Sequence, residues 1–278
     1  MKKLLSLALA LALVLSLASA SAQTLTKLVI GATTVPHAEV LELVKDDLKA
    51  LGYDLEVIDF IDGYSLPNPA LAAHELDANY FQHLPFLNSY NATAPQEEQL
   101  VPVIDVHYEP FGLYPGKTKA LADLKEGGVI AIPNDPSNET RALLLLKEAG
   151  LITLPDDATP DSSLTILDVV DNPLKLDIKE VDAVTLPSTL ADADFAVING
   201  NFALDANLSP AKDAIFLEPV DSDAGKTYTN YVVVRAEDKD ADFVKALEAV
   251  LHTKKVHDYL LTSEKFKGGV IPTFTPAE

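Results

Sequence analysis

The stretch Val129-Ile130-Ala131-Ile132-Pro133-Asn134-Asp135-Pro136-Ser137-Asn138-Glu139-Thr140-Arg141 joins an apolar run to a helical run at 142–149. This order predicts a strand, a polar turn and a helix capped by Ser137 or Asn138, with Gly150 as its stop. A helix start offers free N–H groups and Arg141 adds a planar five-donor fork, so the turn suits a carboxylate or a phosphate. Pairing of Arg141 with a neighbouring acidic side chain is an equal alternative at this point.

Residues 1–22 are typical of a cleaved signal peptide, because Lys2-Lys3 precedes an apolar run and a small-residue end at Ala22. The remaining length, about 256 residues, suffices for one large domain or two lobes. Loss of Lys2 and Lys3 changes the formal net charge from −21 to −23, and so acidic a surface excludes nucleic acid and anionic lipid as partners. The chain has no cysteine, which excludes a disulfide scaffold, thiol catalysis and a lipidated cysteine.

The rest of the chain divides into two halves of similar pattern. In each half a strand, a helix, a strand, a short helix and a strand follow one another. These segments are 27–32, 36–50, 54–60, a helix capped by Asn68, and 77–81 in the first half, and 129–132, 138–149, 175–180, 187–190 and 194–199 in the second. The short connections favour parallel strands with right-handed crossovers.

Two extended segments without helical periodicity, 101–115 and 228–235, cross between the halves. We also expect a helix near 164–171 in the second half, and helices at 240–260 and 263–267 that return to the first half. The pattern therefore predicts an α/β protein of two lobes, 23–108 plus 229–278 and 109–228, each an open, mostly parallel sheet flanked by helices. Ligands of such sheets bind beyond the carboxyl ends of the strands, here in the cleft between the lobes.

The residues that follow strands are therefore the candidates for a binding site. They include Tyr64, Gln82-His83, Asn134 to Arg141, Asn199 to Asn201, and Asn230. Asparagines offer donors and acceptors without charge, a composition that suits a zwitterion better than acid–base catalysis. Tyr64 lies in a loop and is expected to form a pocket wall, whereas Tyr80 and Phe86 are assigned to the core.

Catalytic and metal-binding patterns are weak. The chain lacks a G-x-S-x-G elbow, a phosphate-binding loop and a dinucleotide fingerprint, and Ala78 stands where an H-E-x-x-H motif beginning at His74 needs its second histidine. A metal-binding receptor that uses His37, His83 and His107 remains an alternative, although these histidines lack the usual ligand spacing. A secreted hydrolase is a further alternative, and we expect no cofactor.

Several stretches together resemble the NlpA/MetQ family of methionine-binding proteins of ABC importers. They are Asp77–His83, Ile132–Asn138, Arg141–Leu146, Ala196–Asn199, Ser209–Asp213 and Tyr228–Arg235, in family order and spacing. The resemblance implies a two-lobed periplasmic-binding-protein-like fold of type II. It also implies a non-enzymatic monomer that closes on a free amino acid and delivers it to a permease with a cytoplasmic ATPase.

Carried over by motif, the resemblance implies that Arg141 binds the ligand carboxylate with Asn138 beside it. Asn199 and Asn230 would bond the amino and carboxylate groups, and Tyr64, Phe81 and His83 would form the side-chain pocket. Two features depart from the family. Ala20 stands where members carry a lipobox cysteine, so we expect a freely diffusing periplasmic protein. The turn 31–37 also differs, which leaves methionine, a related amino acid and a small peptide open as ligands.

Overall fold

The computed structural model describes residues 24–219, 226–266 and 268–276. The predicted signal peptide, 1–22, lies outside these ranges. Within them the chain forms two sheets flanked by helices, which confirms the two-lobed α/β architecture. No helix in the described ranges has both the length and the apolar composition that a membrane crossing needs.

The strands are β1 (Thr26–Ala32), β2 (Tyr53–Asp59), β3 (Ala78–His83), β4 (Leu100–Tyr108), β5 (Gly112–Pro115), β6 (Val129–Pro133), β7 (Asp177–Val181), β8 (Phe195–Ile198), β9 (Phe216–Leu217), β10 (Thr229–Arg235) and β11 (Ile271–Pro272). The α-helices are α1 (Glu39–Leu43), α2 (Lys45–Ala50), α3 (Pro67–Ala72), α4 (Leu84–Thr93), α5 (Pro136–Glu148), α6 (Leu186–Thr189), α7 (Gly200–Asp205), α8 (Pro210–Asp213), α9 (Asp242–Leu251) and α10 (Lys254–Thr262). A π-helical turn, Thr34–Ala38, precedes α1.

The two sheets share one design. Their strand orders are β11-β4-β10-β3-β1-β2 and β7-β6-β8-β5-β9. In each sheet the first strand of the repeated unit lies between the other two, and all three are parallel. The crossing strands β10 and β5 then pair antiparallel with β3 and β8. The sheets are thus mixed rather than mostly parallel, because the chain returns through each lobe in the opposite direction.

An aspartate at the start of the third strand stabilises each unit. Asp77 accepts the backbone N–H of Val29 at 2.7 Å, and Asp194 accepts that of Val129 at 2.8 Å. The Asp77 and Asp194 N–H groups donate back to the carbonyls of the same two valines at 2.8 Å. Asp77 and Asp194 therefore occupy the same structural position in the two lobes.

Helix starts differ from the predictions. Asp135, not Ser137 or Asn138, caps α5: its extended backbone precedes Pro136 and its carboxylate accepts the N–H of Asn138 at 3.1 Å. The helix predicted after Asn68 instead begins at Pro67, and Asn68 is buried in a side-chain network.

Three other predicted helices are shorter or divided. The helix predicted at 36–50 is split because Val44 leaves the helical dihedral region between α1 and α2. The helix expected near 164–171 is only a 3₁₀ turn at Ile166–Asp168, closed by a capping box. Residues 264–266 form a turn rather than a helix, and 267 lies outside the described residues. The late helices α9 and α10 pack on the first sheet as expected, with Leu247 and Leu260 in its core.

The outer side of α5 is tied to the loop that follows it. Thr140 Oγ1 accepts the N–H of Leu164 at 2.9 Å, and Glu139 Oε1 accepts that of Ile166 at 3.0 Å. Burial and a hydrogen bond to the Glu180 carboxyl raise the pKa of Glu139 to about 7. The folded protein therefore retains a proton on Glu139 at pH values where the unfolded chain releases it.

Glu139→Gln should remove this linkage between protonation and folding. Between about pH 5 and pH 8 the free energy of unfolding of the wild type should fall relative to that of the variant, because only the wild type ionises a buried carboxyl. Urea titrations at both pH values measure the difference. Glu148→Gln, at an exposed position on the same helix, is the control. An E139Q effect that is equal at both pH values would contradict the linkage.

Candidate functional site

A pocket between the lobes contains all seven residues predicted from the sequence to bind a ligand. These are Tyr64, Phe81, His83, Asn138, Arg141, Asn199 and Asn230, and the same wall includes His37, Gln82, Phe86, Glu109, Gly200 and Asn201. The space between these side chains that protein atoms do not fill is about 350 Å³, including part of the open solvent at its mouth.

Arg141 projects from α5 and is buried, at 4% exposure. Its Nε and Nη2 atoms donate to Glu218 Oε1 and Oε2 at 3.1 and 2.5 Å, and Nη2 also donates to the Glu109 carbonyl at 2.9 Å. Its guanidinium carbon lies 3.9 Å from the centre of the Tyr228 ring. Burial alone would lower the Arg141 pKa, but Glu218 outweighs it and raises the value, so the cation is permanent. Among the described residues, Nη1 makes no hydrogen bond and is free to meet a ligand.

The sequence left open a pairing of Arg141 with an acidic side chain. The structure shows this pairing with Glu218, and both side chains are buried. Glu218 accepts the Tyr108 hydroxyl at 2.5 Å and the Phe111 N–H at 3.2 Å, and its own N–H donates to the Phe111 carbonyl at 2.9 Å. Tyr108 and Phe111 flank one crossing, and Glu218 begins the other. The ion pair thus joins both crossings to α5.

His83 and Asn138 connect the two lobes, and their hydrogen bonds define the protonation of the imidazole. The Asn138 amide nitrogen donates to both Asp135 oxygens at 2.9 Å, so its Oδ1 faces His83 Nε2 at 3.2 Å. His83 Nδ1 accepts the Phe86 N–H at 3.2 Å, so the proton is on Nε2. Burial and the nearby Arg141 lower the pKa of His83 to about 3, which keeps the ring neutral.

The amides of Asn199 and Asn201 retain unused hydrogen-bonding capacity. Asn199 Nδ2 donates to Asn138 Oδ1 at 2.9 Å, and Asn201 Oδ1 accepts the Tyr64 hydroxyl at 2.5 Å. In the described part of the chain, Asn199 Oδ1 and Asn201 Nδ2 are buried without a partner. An unpaired buried polar group costs about 1–3 kcal/mol, so this wall is suited to a ligand with both a donor and an acceptor.

An aromatic wall faces these amides. The Tyr64 ring centre lies 6.0 Å from that of Phe81, 5.7 Å from Phe86 and 4.9 Å from Phe202 of the second lobe. Assignment of Phe86 to the core is wrong, because its half-buried ring reaches the pocket from the first turn of α4. Tyr80 is fully buried, as expected.

Glu109 and two histidines form a second buried cluster at the pocket. His37 Nδ1 lies 2.8 Å from Thr33 Oγ1, and its Nε2 lies 3.1 Å from Asn230 Oδ1 and 3.6 Å from Glu109 Oε1. His107 Nε2 lies 2.7 Å from Glu109 Oε1. Burial lowers the pKa values of His37 and His107 to about 4 and about 3, so both rings are neutral.

This cluster is the one place in the described residues where three such groups could hold a metal ion. Of the three histidines considered as metal ligands, His37 and His107 lie in this cluster, whereas His83 lies with Asn138 and Glu109 is the third member. A hydroxyl lies at each Nδ1, Tyr80 at 2.5 Å from His107 and Thr33 at 2.8 Å from His37, which orients both Nε2 atoms toward Glu109. The same Nε2 atoms also hydrogen-bond to Asn230 and Glu109, so these histidines have hydrogen-bond partners without a metal ion.

Glu109 is the main pocket residue that the sequence interpretation missed. The segment 101–115 was interpreted only as a crossing, so its side chains were not considered. A signal was present: Glu109 ends a long extended run and is followed by Pro110, at the position where the chain passes between lobes. Polar residues at such a position lie beside the cleft.

Comparison with known proteins identifies the family of this chain. The NlpA lipoprotein family model matches residues 28–274. The methionine-binding lipoprotein MetQ of Bacillus subtilis is 36% identical over 88% of this chain and 88% of its own length. The D-methionine-binding lipoprotein MetQ of Escherichia coli K12 is 39% identical over 84% of this chain and 82% of its own. A solved nutrient-binding protein from Burkholderia cenocepacia, bound to methionine, shares 41% identity with a TM-score of 0.82, and the match covers 89% of this chain and 100% of that one.

One prediction is corrected by these findings. The family model and the MetQ relatives are lipoproteins, which are anchored to a membrane. This overturns the expectation of a freely diffusing periplasmic protein, which rested on the absence of a cysteine rather than on any positive feature of the chain.

The match over nearly the whole described chain, the shared fold and the interlobe pocket lead to one assignment. The chain belongs to the NlpA lipoprotein family, a family of non-enzymatic substrate-binding proteins.

Proposed function

We propose that this protein is the extracytoplasmic substrate-binding component of an ABC importer and that it binds a free amino acid, methionine, in the interlobe pocket. The observation that carries the proposal is the composition of that pocket. A permanently charged arginine and two unpaired amide groups face an aromatic wall in a space of about 350 Å³. The methionine named for the B. cenocepacia neighbour and the MetQ relatives supports the choice of ligand.

In this proposal Arg141 Nη1 donates to the ligand carboxylate, and Asn138 holds the adjacent helix turn in place. Asn199 Oδ1 is an acceptor for the ligand amine, and Asn230 lies on the opposite crossing. The side chain lies against Tyr64, Phe81 and His83, with Phe86 as a further wall. A thioether gains about 0.3–1.5 kcal/mol from contact with an aromatic ring, which favours methionine over a shorter aliphatic side chain.

Closure of the two lobes would present one surface to a permease and its ATPase. We propose lobe boundaries of 23–108 plus 229–278 and 109–228, and a monomeric receptor. Glu218 accepts hydrogen bonds from Tyr108, at the end of β4, and from Phe111, just before β5, so we expect closure to be a rotation about this β4–β5 crossing.

Calorimetric titration with L-methionine, D-methionine, glycyl-methionine, leucine and alanine tests the ligand. We expect methionine to bind well below about 1 mM, the dissociation constant that corresponds to roughly −4 kcal/mol, and alanine to bind far more weakly. The protein should be unfolded and refolded beforehand to remove bound ligand. Failure of every amino acid and short peptide to bind more tightly than about 1 mM would refute the proposal.

Arg141→Lys separates the ligand role of Arg141 from its structural role. Lysine keeps the charge beside Glu218 but loses the fork, so methionine affinity should fall about 10- to 100-fold while the protein stays folded. Arg141→Ala should in addition destabilise the protein by about 3–5 kcal/mol, because it leaves the buried Glu218 charge unpaired.

Calorimetry and thermal melts measure these two effects, and Lys147→Gln near the end of the same helix is the matched control. Wild-type affinity in R141K would show that Arg141 serves only as the partner of Glu218.

A metal-binding receptor is the second candidate, and the His37–His107–Glu109 cluster is the observation that favours it. Titration of chelator-treated protein with zinc chloride distinguishes the two candidates. Stoichiometric zinc binding that is lost in His107→Ala, together with no response to methionine, would favour the metal receptor.

A further inference from the structure

The pocket contains a buried carboxyl group, that of Glu109, whose pKa burial raises to about 7. Among the described residues, no permanent cation forms an ion pair with its ionised form. Of the side chains that line it, Arg141 and Glu109 are the two that can carry a formal charge when the histidines are neutral. Arg141 is already neutralised by Glu218. The ion-pair contacts of Glu109 among the described residues are with His37 and His107 alone, and both imidazoles are neutral. A buried carboxylate without a counter-charge is costly to a folded protein.

The structure nevertheless holds this carboxyl in one position. His107 Nε2 contacts Oε1 at 2.7 Å, and the backbone N–H of Asn201 donates to the same side chain. Residue 200 has no side chain, and an added Cβ there would lie 2.5 Å from Glu109 Oε2. Three separate elements, β4, the crossing and α7, thus position a carboxylate that lines the pocket. An acidic side chain that faced solvent, or that had no role in the pocket, would not need to be fixed by contacts from three elements.

We infer that Glu109 is the counter-ion for a cationic amine on the ligand, and that the pocket selects compounds with a free α-ammonium group beside a carboxylate. This inference rests on the proposed function and extends it. Arg141 and Glu109 would then meet the two charges of one zwitterion, and the ligand would neutralise the acid that the protein leaves unpaired. Deaminated and N-acylated acids would leave Glu109 without a counter-ion and would bind more weakly.

A thermodynamic cycle tests the inference, in which two forms of the protein are each titrated with two ligands. The ligands are L-methionine and 4-(methylthio)butanoate, which is methionine without its amino group. Wild-type protein should bind L-methionine at least about tenfold more tightly than the deaminated acid. Glu109→Gln, which keeps the size and the hydrogen-bond acceptor, should weaken L-methionine binding about 10- to 100-fold and change binding of the deaminated acid little.

Asp205→Asn is the matched control. Asp205 ends α7 close enough to Glu109 to interact with it electrostatically, but it does not line the pocket. Its removal should leave the preference for L-methionine intact. Binding of the deaminated acid by E109Q, with a melting curve, shows that the variant is folded.

Each other outcome overturns a specific claim. Equal losses for both ligands in E109Q would show that Glu109 supports the fold of the pocket rather than the amine. Equal affinity of the wild type for both ligands would overturn the inference without any variant, yet leave an amino-acid-sized carboxylate site intact. Absence of binding by the wild type to either ligand would instead refute the proposed function, and this inference with it.

Discussion

The buried ion pair between Arg141 and Glu218 is the constraint on which the interlobe region depends. Both groups are desolvated, and their two parallel hydrogen bonds and the stacking on Tyr228 offset that cost. Glu218 also accepts from Tyr108 and Phe111, so one carboxylate holds both crossings and the first turns of α5 in register. The pair therefore fixes the part of the pocket wall that contains Arg141, and the guanidinium of Arg141 is oriented before any ligand binds.

Neutral histidines give the pocket its polarity without adding charge. His37, His83 and His107 are buried, and desolvation keeps their pKa values at about 4, 3 and 3. Each presents Nε2 to a side-chain oxygen, of Asn230, Asn138 and Glu109 respectively. The pocket thus combines oriented dipoles with the permanent cation of Arg141 and with the Glu109 carboxyl, whose pKa burial raises to about 7. Such preorganised groups favour a ligand that carries both an ammonium and a carboxylate group.

The sequence predicts those parts of the site that depend on local pattern. Arg141, Asn138 and Asn199 follow strands, and the strand–helix–strand order brings the ends of parallel strands to one edge of a sheet. The Arg141–Glu218 pair spans 77 residues, and no periodicity identifies such a partner. The Asp135 cap was missed because three neighbouring polar residues compete for that role. Glu109 was missed because an extended crossing gives no signal of which side chain faces the cleft.

Two hydrogen bonds that bridge the lobes, Tyr64 to Asn201 and His83 to Asn138, are made entirely by protein side chains. Part of the free energy of lobe closure therefore comes from these hydrogen bonds within the protein, rather than from contacts with the ligand. The apparent dissociation constant of any cargo equals the intrinsic constant divided by the fraction of molecules already in the competent form. Side chains such as Asn201 can thus tune affinity by shifting this population, in addition to any contact that they make with the ligand. Affinity for a ligand then depends on contacts within the protein as well as on contacts with the ligand.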